Sequence, residues 1–327
     1  LDQGKLEAYS ALGVNRFSVG AQTFNDRLLK VAGRKHSSQD TVETLSLLKR
    51  NRVNYSFDLL FALPPQSLEE VRADVATALA FDPTHLSAYC LTVHDDHPMA
   101  VGRAPEEVQI EMFHVIESTL AEAGIMRYEI SNFARPGGES RHNMLYWTDQ
   151  PYWGIGVSAH SYFPPGFASD SHPSPSSSLS SRRALSHWGT RFWNPPALNL
   201  YEKQIRTSLS NTSPSSPPSL STVASPFVGG YPYNLPERQR EELKRNQALT
   251  DFCHSSLRLV RGLDENALRL KFGESVRSHV TFHMDALQRS GHVVKTRTGW
   301  SLSERGRLAA NMVFEKLTFL ENELVSV

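Results

Sequence analysis

Hydrophobic positions alternate between two periods over the first 135 residues. Four short runs, at 15–22, 55–63, 85–93 and 126–134, are predicted as β-strands, and the run at 55–63 is mostly apolar. Between these runs, apolar side chains recur at helical spacing, as at Val42, Leu45 and Leu48. Ser67 followed by Glu70 predicts a capping box at the start of one such helix. The first part of the chain is therefore an alternation of strands and helices.

This alternation predicts parallel βαβ units with right-handed crossovers. The run "YSFDLLFAL" at 55–63 is mostly apolar, as expected of a strand covered on both faces. We predict an α/β fold that contains part of a parallel (β/α) barrel, and an open doubly wound sheet is the alternative.

Two later stretches, 164–186 and 208–226, are dominated by serine and proline and can bury little apolar surface. From about residue 236 the pattern is helix, helix, hairpin and helix, which is the order of a winged-helix module and of other small α+β domains. We predict three regions: a barrel part at 1–163, Ser/Pro-rich insertions around a short ordered segment at 164–235, and a winged-helix-like domain at 236–327.

Charge and composition exclude several classes of function. Lys+Arg and Asp+Glu both number 34, so bulk attraction to nucleic acid is not expected. The helix predicted at 276–290 carries Arg277 and Arg289 against Asp285, which is not a phosphate-binding stripe. No run approaches 18 apolar residues, so we expect no membrane span. We therefore expect neither nucleic acid nor a membrane as a partner.

Two features concern the compartment and the start of the chain. Cys90 and Cys253 are the only two cysteines; they form no disulfide framework and suit a reducing, cytoplasmic location. The chain begins at Leu1 rather than Met, inside an apparent helix. We therefore expect a fragment that lacks its N-terminal part, so the absence of a targeting signal carries little weight.

Polar residues lie where the predicted strands end, which is where parallel barrels bind ligands. They are Gln22, Asp58, Thr92, Glu129 and Asn132, and Arg34 follows the first strand. An amide, a carboxylate and a guanidinium at neighbouring strand ends would suit a ligand with a carboxylate, an amine and hydroxyls. Each residue also has a structural interpretation: Asp58 as a member of a buried pair, Gln22 as a helix cap and Arg34 as a surface residue.

The segment "RHNMLYWTDQPYWGIGVSAHS" at 141–161 combines histidines, aromatic residues and spaced glycines. "GIGVSA" matches a dinucleotide-binding pattern, but it follows no convincing strand and no acidic residue stands about twenty positions on. We infer instead that its small residues allow close backbone packing. His142 and His160 lack neighbouring cysteines, so they do not form a zinc motif. Residue chemistry alone leaves an aromatic core corner and a ligand-binding loop as the two interpretations.

Several segments together resemble the HemN/HemW family of radical S-adenosylmethionine proteins, and more narrowly its HemW branch of haem chaperones. The segments are "ALGVNRFSVGAQTFND", "AGRKH", "FDLLFALP", "HLSAYCLTV", "YEISNFARPG" and "RHNMLYW…YWGIGVSAHS". The similarity is dense over 1–161, and "RFWNPPALNLYEKQI" and the C-terminal domain are also similar. The resemblance implies a partial radical S-adenosylmethionine barrel whose first strands precede this chain.

The resemblance also implies site residues. S-adenosylmethionine would be bound by Gln22, Arg34, Asp58 and Thr92, with His160 near the pocket. The H-N-x-x-Y-W run resembles the family's haem signature and assigns haem contacts to His142, Asn143, Tyr146 and Trp147, with His142 as a ligand of the haem iron. No catalytic residue is assigned. The implied partners are haem or a porphyrin and a haem-acceptor protein.

The chain departs from the family pattern in two places. The C-x-x-x-C-x-x-C motif that supplies the [4Fe-4S] cluster is absent, so a cluster is expected only if the full-length protein carries these cysteines upstream of Leu1. Ala62 stands where the family usually has glycine. We therefore expect haem binding and delivery without radical chemistry in this chain. The alternatives are an oxygen-independent coproporphyrinogen III oxidase and a structural or regulatory winged-helix protein.

Overall fold

The computed structural model describes residues 1–94, 96–165, 188–210 and 239–324, without the side chains of 207–210. The described residues form two compact units, Leu1–Ser140 and Arg141–Val327. Residues 141–163, which we assigned to the barrel part, thus belong to the second unit. The Ser/Pro-rich stretches at 164–186 and 208–226 lie almost entirely outside the described residues, and the predicted domain boundaries remain predictions.

The first unit alternates helices and strands as the hydrophobic pattern predicts. Its elements are α1 (Gln3–Ala11), β1 (Arg16–Gln22), α2 (Asp26–Val31), α3 (Ser38–Arg50), β2 (Asn54–Phe61), α4 (Leu68–Ala80), β3 (His85–Cys90), α5 (Glu106–Glu122), β4 (Met126–Arg127) and β5 (Asn132–Ala134).

Capping residues set where several of these helices begin. The predicted Ser67–Glu70 capping box is present at the start of α4. The first helix is not already under way at Leu1, because Asp2 caps it by accepting from the backbone N–H of Lys5. The expectation that the chain begins inside a helix was therefore wrong.

One five-stranded sheet organises the first unit, in the order β1-β2-β3-β5-β4. Strands β1, β2 and β3 are parallel, as predicted. The single fourth strand predicted at 126–134 is wrong: β4 and β5 pair with each other, and β5 runs antiparallel to β3. The chain reverses because the buried Glu129 carboxylate accepts hydrogen bonds from the backbone of Ser131 and the side chain of Asn132. The sheet is therefore mixed.

The two faces of this sheet differ in chemistry. One face packs against α3, α4 and α5 through a core that contains Phe57, Leu86 and Phe133. The opposite face of β2 carries Ser56 and Asp58, which alternate with the core residues. Leu60 on this opposite face packs against the cluster that contains Leu28 of α2 and Leu63, so β2 is covered on both faces over most of its length, as expected.

The second unit contains two small antiparallel sheets and a group of helices. Its elements are α6 (Arg141–Trp147), β6 (His160–Phe163), β7 (Thr190–Trp193), α7 (Leu198–Ser210), β8 (Arg240–Glu242), α8 (Arg245–Arg258), β9 (Leu263–Asp264), α9 (Glu265–Phe272), α10 (Glu274–Arg289), β10 (Val293–Lys295), β11 (Gly299–Leu302), α11 (Glu304–Leu308) and α12 (Ala310–Lys316). The sheets have the orders β6-β7-β8 and β10-β11-β9. Within the described residues, no helix is both long and apolar enough to cross a membrane.

Candidate functional site

The end of β1 has an unusual backbone conformation at Gln22. Its φ is 65°, which is uncommon for a residue other than glycine, and the pairing of β1 with β2 shifts register between Val19 and Gln22. Strained residues of this kind cluster at binding sites. A Cβ atom on Gly20 would lie 2.8 Å from Nε2 of Gln22, so the absent side chain leaves room for the amide. The position of the Gln22 amide therefore depends on glycine at position 20.

Asp74 on α4 holds the turn that follows Gln22. Its carboxylate accepts hydrogen bonds from Oγ1 of Thr23 and from the backbone N–H of Phe24, both at 2.7 Å. Burial raises the pKa of Asp74, and these two hydrogen bonds oppose that effect. Sequence reasoning missed this residue, although an acid within the apolar stripe of Val71 and Val75 was a usable signal.

Asp58 lies on β2 directly opposite Ser87 of β3. Burial raises the pKa of Asp58, while a hydrogen bond with Ser87 and the positive charges of Arg16 and Arg34 lower it. Arg34 is exposed, and its charge acts on Asp58. Gln22 pairs with Leu59, the next residue of β2. Gln22 and Asp58 thus lie on neighbouring strands, and Arg34 is near enough for its charge to lower the pKa of Asp58.

A buried polar network extends along the same sheet from Ser87. The Ser87 hydroxyl donates to Oδ1 of Asn132 at 2.7 Å, and the amide of Asn132 donates to Glu129. His85 lies two residues before Ser87, and its Nε2 is 2.9 Å from the Tyr128 hydroxyl. Burial lowers the pKa of His85 to about 4. No sequence motif singled out Ser87, His85 or Tyr128, although polar residues alternate along β2 and β3.

Two further positions that the sequence singled out, Thr92 and Ala62, differ in exposure and in backbone conformation. Thr92 is exposed beyond the end of β3, and its hydroxyl donates to the carbonyl of Cys90 at 3.4 Å. No contact that the structure describes joins Thr92 to Gln22, Arg34 or Asp58. Ala62 is buried with a φ of 60°. Glycine adopts this conformation without a steric cost, whereas the Cβ of alanine makes it less favourable.

The second cluster lies on α6, where the H-N-x-x-Y-W residues separate into two pairs. His142 and Tyr146 are four residues apart on one helix face, and Asn143 and Trp147 are four apart on the neighbouring face. Nε2 of His142 is 3.0 Å from the Tyr146 hydroxyl, and the two rings meet edge to face. His142 is exposed, and Tyr146 packs on Tyr152 with ring centroids 4.3 Å apart. These four residues therefore do not form one flat surface.

Trp147 faces the interior of the second unit. The guanidinium of Arg258, the last residue of α8, lies 4.4 Å from the Trp147 ring centroid. Trp147 also lines two cavities, of about 160 and 310 Å³, that share Phe252 and Ser256. One face of the indole is thus covered by a cation, so Trp147 anchors α6 as well as forming cavity walls.

The glycines at 154 and 156 fit the expectation of close backbone packing. A Cβ on Gly154 would clash with the carbonyl oxygen of His160. The amide of Asn194 donates to the carbonyls of Gly154 and Gly156 at 3.1 and 2.7 Å. His160 is exposed and stacks on Trp193. Because His160 lies in the second unit, its expected proximity to the S-adenosylmethionine residues remains a prediction.

The residues of this chain do not offer a ligand set for an iron–sulfur cluster. Among the described positions, no three His, Cys, Asp or Glu side chains are grouped to hold a metal ion. The two cysteines of the sequence are free thiols, Cys90 exposed and Cys253 buried. Since a cluster of the expected type takes three thiolates, it does not fit the residues present.

Comparison with known proteins identifies relatives for both units. The Radical SAM superfamily model matches residues 1–78. The heme chaperone HemW of Bacillus subtilis is 29% identical over 322 residues, which cover 96% of this chain and 72% of that protein. HemW of Synechocystis is 39% identical over 169 residues, 49% of this chain and 41% of that protein. The chain spans less than half of the second relative.

A solved structure provides the fold comparison. Coproporphyrinogen III oxidase (HemN) from Escherichia coli superposes with a TM-score of 0.65 at 16% identity, covering 97% of this chain and 67% of that chain. At this identity the likeness concerns the fold alone. Together with the HemW relatives and the superfamily match, the α/β architecture confirms the resemblance found in the sequence. The chain is therefore similar to the HemW heme chaperones along most of its length, and to the Radical SAM superfamily over residues 1–78.

Proposed function

We propose that this chain binds haem and delivers it to an acceptor protein. The observation that carries the proposal is the exposed His142 imidazole paired with Tyr146 on the aromatic helix α6. The relative aligned along 96% of the chain is named a heme chaperone, which supports the same function. Histidine is a common axial ligand of haem iron. His142 would therefore be the iron ligand, with Tyr146 beside it.

The contact between His142 and Tyr146 limits how His142 could bind the haem iron. Nε2 of His142 is engaged with the Tyr146 hydroxyl, so ligation through Nε2 requires that contact to open. Ligation through Nδ1 would keep the contact and let the hydroxyl orient the imidazole. Asn143 and Trp147 lie on the neighbouring helix face, where they would support α6 rather than stack on the same porphyrin face as His142.

We propose that S-adenosylmethionine binds at the polar end of the sheet in the first unit. Gln22, Arg34 and Asp58 supply an amide, a guanidinium and a carboxylate, which fit a ligand with carboxylate, amino and hydroxyl groups. Thr92 and His160 are the further contacts in this proposal. A [4Fe-4S] cluster does not fit the two thiols present, so its ligands would have to come from residues outside this sequence.

The finer description of the architecture belongs to the same proposal. Residues 1–163 would be the C-terminal part of a radical S-adenosylmethionine barrel, and residues 236–327 would form a winged-helix-like domain. The order α9, α10, β10–β11 and α11 supports the second assignment. Free cysteines support a cytoplasmic location, and balanced charge supports the absence of a nucleic-acid partner.

Haem titration followed by the Soret band tests the proposal. We expect a Soret shift with the unmodified chain and a strongly weakened shift with His142→Ala. His94→Ala removes an exposed imidazole from the first unit and serves as the matched control. An identical shift in all three proteins would remove His142 from the haem site.

The alternative of a coproporphyrinogen III oxidase has weaker support. The likeness to HemN concerns the fold, whereas the relatives that share 29% and 39% identity are named heme chaperones. Turnover of coproporphyrinogen III by the reconstituted full-length protein would favour this alternative. The structural or regulatory winged-helix hypothesis would require DNA binding by the C-terminal residues that weakens steeply with salt.

A further inference from the structure

We propose that the larger cavity beside Trp147 binds a carboxylate carried by a planar apolar molecule, and that this ligand is the propionate-bearing edge of a porphyrin. The cavity, which we term the Trp147 cavity, has a volume of about 310 Å³. The residues that matter are the apolar Trp147, Phe252 and Leu259 and the polar Ser256, Arg261 and Thr298. This inference rests on the proposed haem function for the identity of its ligand.

Trp147 gives the cavity a fixed aromatic wall. The Arg258 guanidinium stacks on its ring, which restricts the orientation of the indole. The indole N–H is buried and has no hydrogen-bond partner within the part of the chain that the structure describes. The cation over the ring and the burial of the N–H both hold the indole in place as part of the cavity wall.

Arg261 provides the positive charge. It is exposed and lines the cavity, and no hydrogen bond or ion pair joins its guanidinium to another described residue. Guanidinium groups bind carboxylates through two parallel hydrogen bonds. An arginine that no carboxylate of the described protein neutralises is therefore available to an anionic ligand.

The turn that carries Arg261 has a fixed backbone. The N–H of Gly262 donates to the carbonyl of Leu259 at 2.9 Å, and Gly262 has a φ of 76°. A Cβ at this position would clash with the carbonyl oxygen of Trp300, so glycine is required. Because Leu259 and Leu263 are both buried, the turn is anchored on either side of Arg261.

The acidic residue of the cavity is already engaged. The Asp264 carboxylate caps α9 and accepts from the backbone N–H of Ala267 at 2.8 Å. Its negative charge therefore acts largely on the helix N-terminus. The hydroxyls of Ser256 and Thr298 remain as further polar groups on the cavity wall.

Size and composition select the class of ligand. Cavities that bind small molecules span roughly 300–1,000 Å³, so this cavity is at the lower limit and suits one edge of a tetrapyrrole. Trp147 and Phe252 would contact the apolar ring system, and Arg261 would bind a propionate. Carboxylate recognition would then be separate from iron ligation at His142.

Binding of metal-free protoporphyrin IX to the full chain tests this inference, with its dimethyl ester as the uncharged probe. Arg261→Gln should weaken binding of the dicarboxylate about ten- to hundredfold and leave binding of the ester unchanged. Arg289→Gln removes an exposed arginine at the end of α10 and should change neither. Thermal unfolding of Arg261→Gln should match that of the unmodified chain, since Arg261 has no described partner.

The outcomes separate this inference from the haem proposal. Protoporphyrin IX has no iron, so its binding does not depend on axial ligation. A loss of the Soret shift in His142→Ala with Arg261-dependent porphyrin binding retained supports both proposals. Arg261-dependent binding without any effect of His142 supports the Trp147 cavity alone. Three results would overturn the inference about the Trp147 cavity. The first is equal affinity of the unmodified chain and Arg261→Gln for protoporphyrin IX, and the second is that Arg261→Gln weakens binding of protoporphyrin IX and its dimethyl ester equally. The third is that neither porphyrin binds.

Discussion

The Tyr146 hydroxyl lies 3.0 Å from Nε2 of His142, one helical turn away on α6. The two rings are nearly perpendicular, with centroids 5.0 Å apart. The imidazole is thus exposed, yet one of its two nitrogens is already engaged. Whether the tyrosine competes with iron or orients the imidazole is a question that substitution answers directly.

Tyr146→Phe should strengthen haem binding about two- to tenfold if iron binds Nε2, because the lost hydrogen bond no longer competes with ligation. Haem titration at the Soret band measures this change. Tyr152→Phe keeps the neighbouring aromatic ring and should have no effect. If Tyr146→Phe instead weakens binding as much as His142→Ala does, the hydroxyl positions the imidazole for ligation through Nδ1.

Gly20→Ala should reduce affinity for S-adenosylmethionine without reducing stability. The new methyl group would occupy the space of the Gln22 amide, which can swing away because it is the end of a flexible side chain. Calorimetric titration with S-adenosylmethionine and thermal unfolding measure the two properties. Gly4→Ala on α1 is the control. Unchanged affinity in Gly20→Ala would exclude the Gln22 amide from the site.

The stack of Arg258 on Trp147 should stabilise the second unit by a coupling energy of about 0.5–2 kcal/mol. A double-mutant cycle with Arg258→Met and Trp147→Leu isolates this term from the other interactions of both residues. Urea unfolding provides the free energies. Strict additivity of the two substitutions would show that the ring and the guanidinium do not interact in solution.

His85 should make the protein less stable in acid. Its pKa is lowered to about 4 in the folded protein from an ordinary 6.5. Between these two pH values the imidazole is protonated in the unfolded chain and neutral in the folded protein. The free energy of unfolding that depends on neutral His85 is present in full above pH 6.5 and is lost as the pH falls towards 4. At about 1.4 kcal/mol per pH unit, roughly 2–3 kcal/mol is lost by pH 4.5.

Comparison with His85→Asn tests this dependence. The stability difference between the unmodified chain and His85→Asn should shrink by that amount between pH 7.5 and 4.5, as measured by urea unfolding. His94→Asn, which alters an exposed histidine, should show a constant difference. A constant difference for His85→Asn as well would mean that the buried imidazole is protonated in the folded state.

Local sequence was sufficient for the elements of the first unit and for part of its site. Apolar spacing predicted β1, β2 and β3 and the helices between them, because helix and strand periods depend on neighbouring residues. The same reasoning singled out Gln22, at the end of β1, and Asp58, which precedes the residue of β2 that pairs with Gln22. It failed at 126–134, where the side chain of Glu129 bonds to Ser131 and Asn132 and turns the chain back.

The sequence by itself thus determined the periodic elements and, through its motifs, the family. Tertiary structure alone decided which side chains of those elements meet. It left His142 exposed while Tyr146 and Trp147 line one cavity, and it placed Arg258 and Arg261 beside Trp147 from more than a hundred positions along the chain. The physical reason is that periodicity arises between neighbours, whereas a cation over a ring or a cavity wall exists only after distant segments have packed.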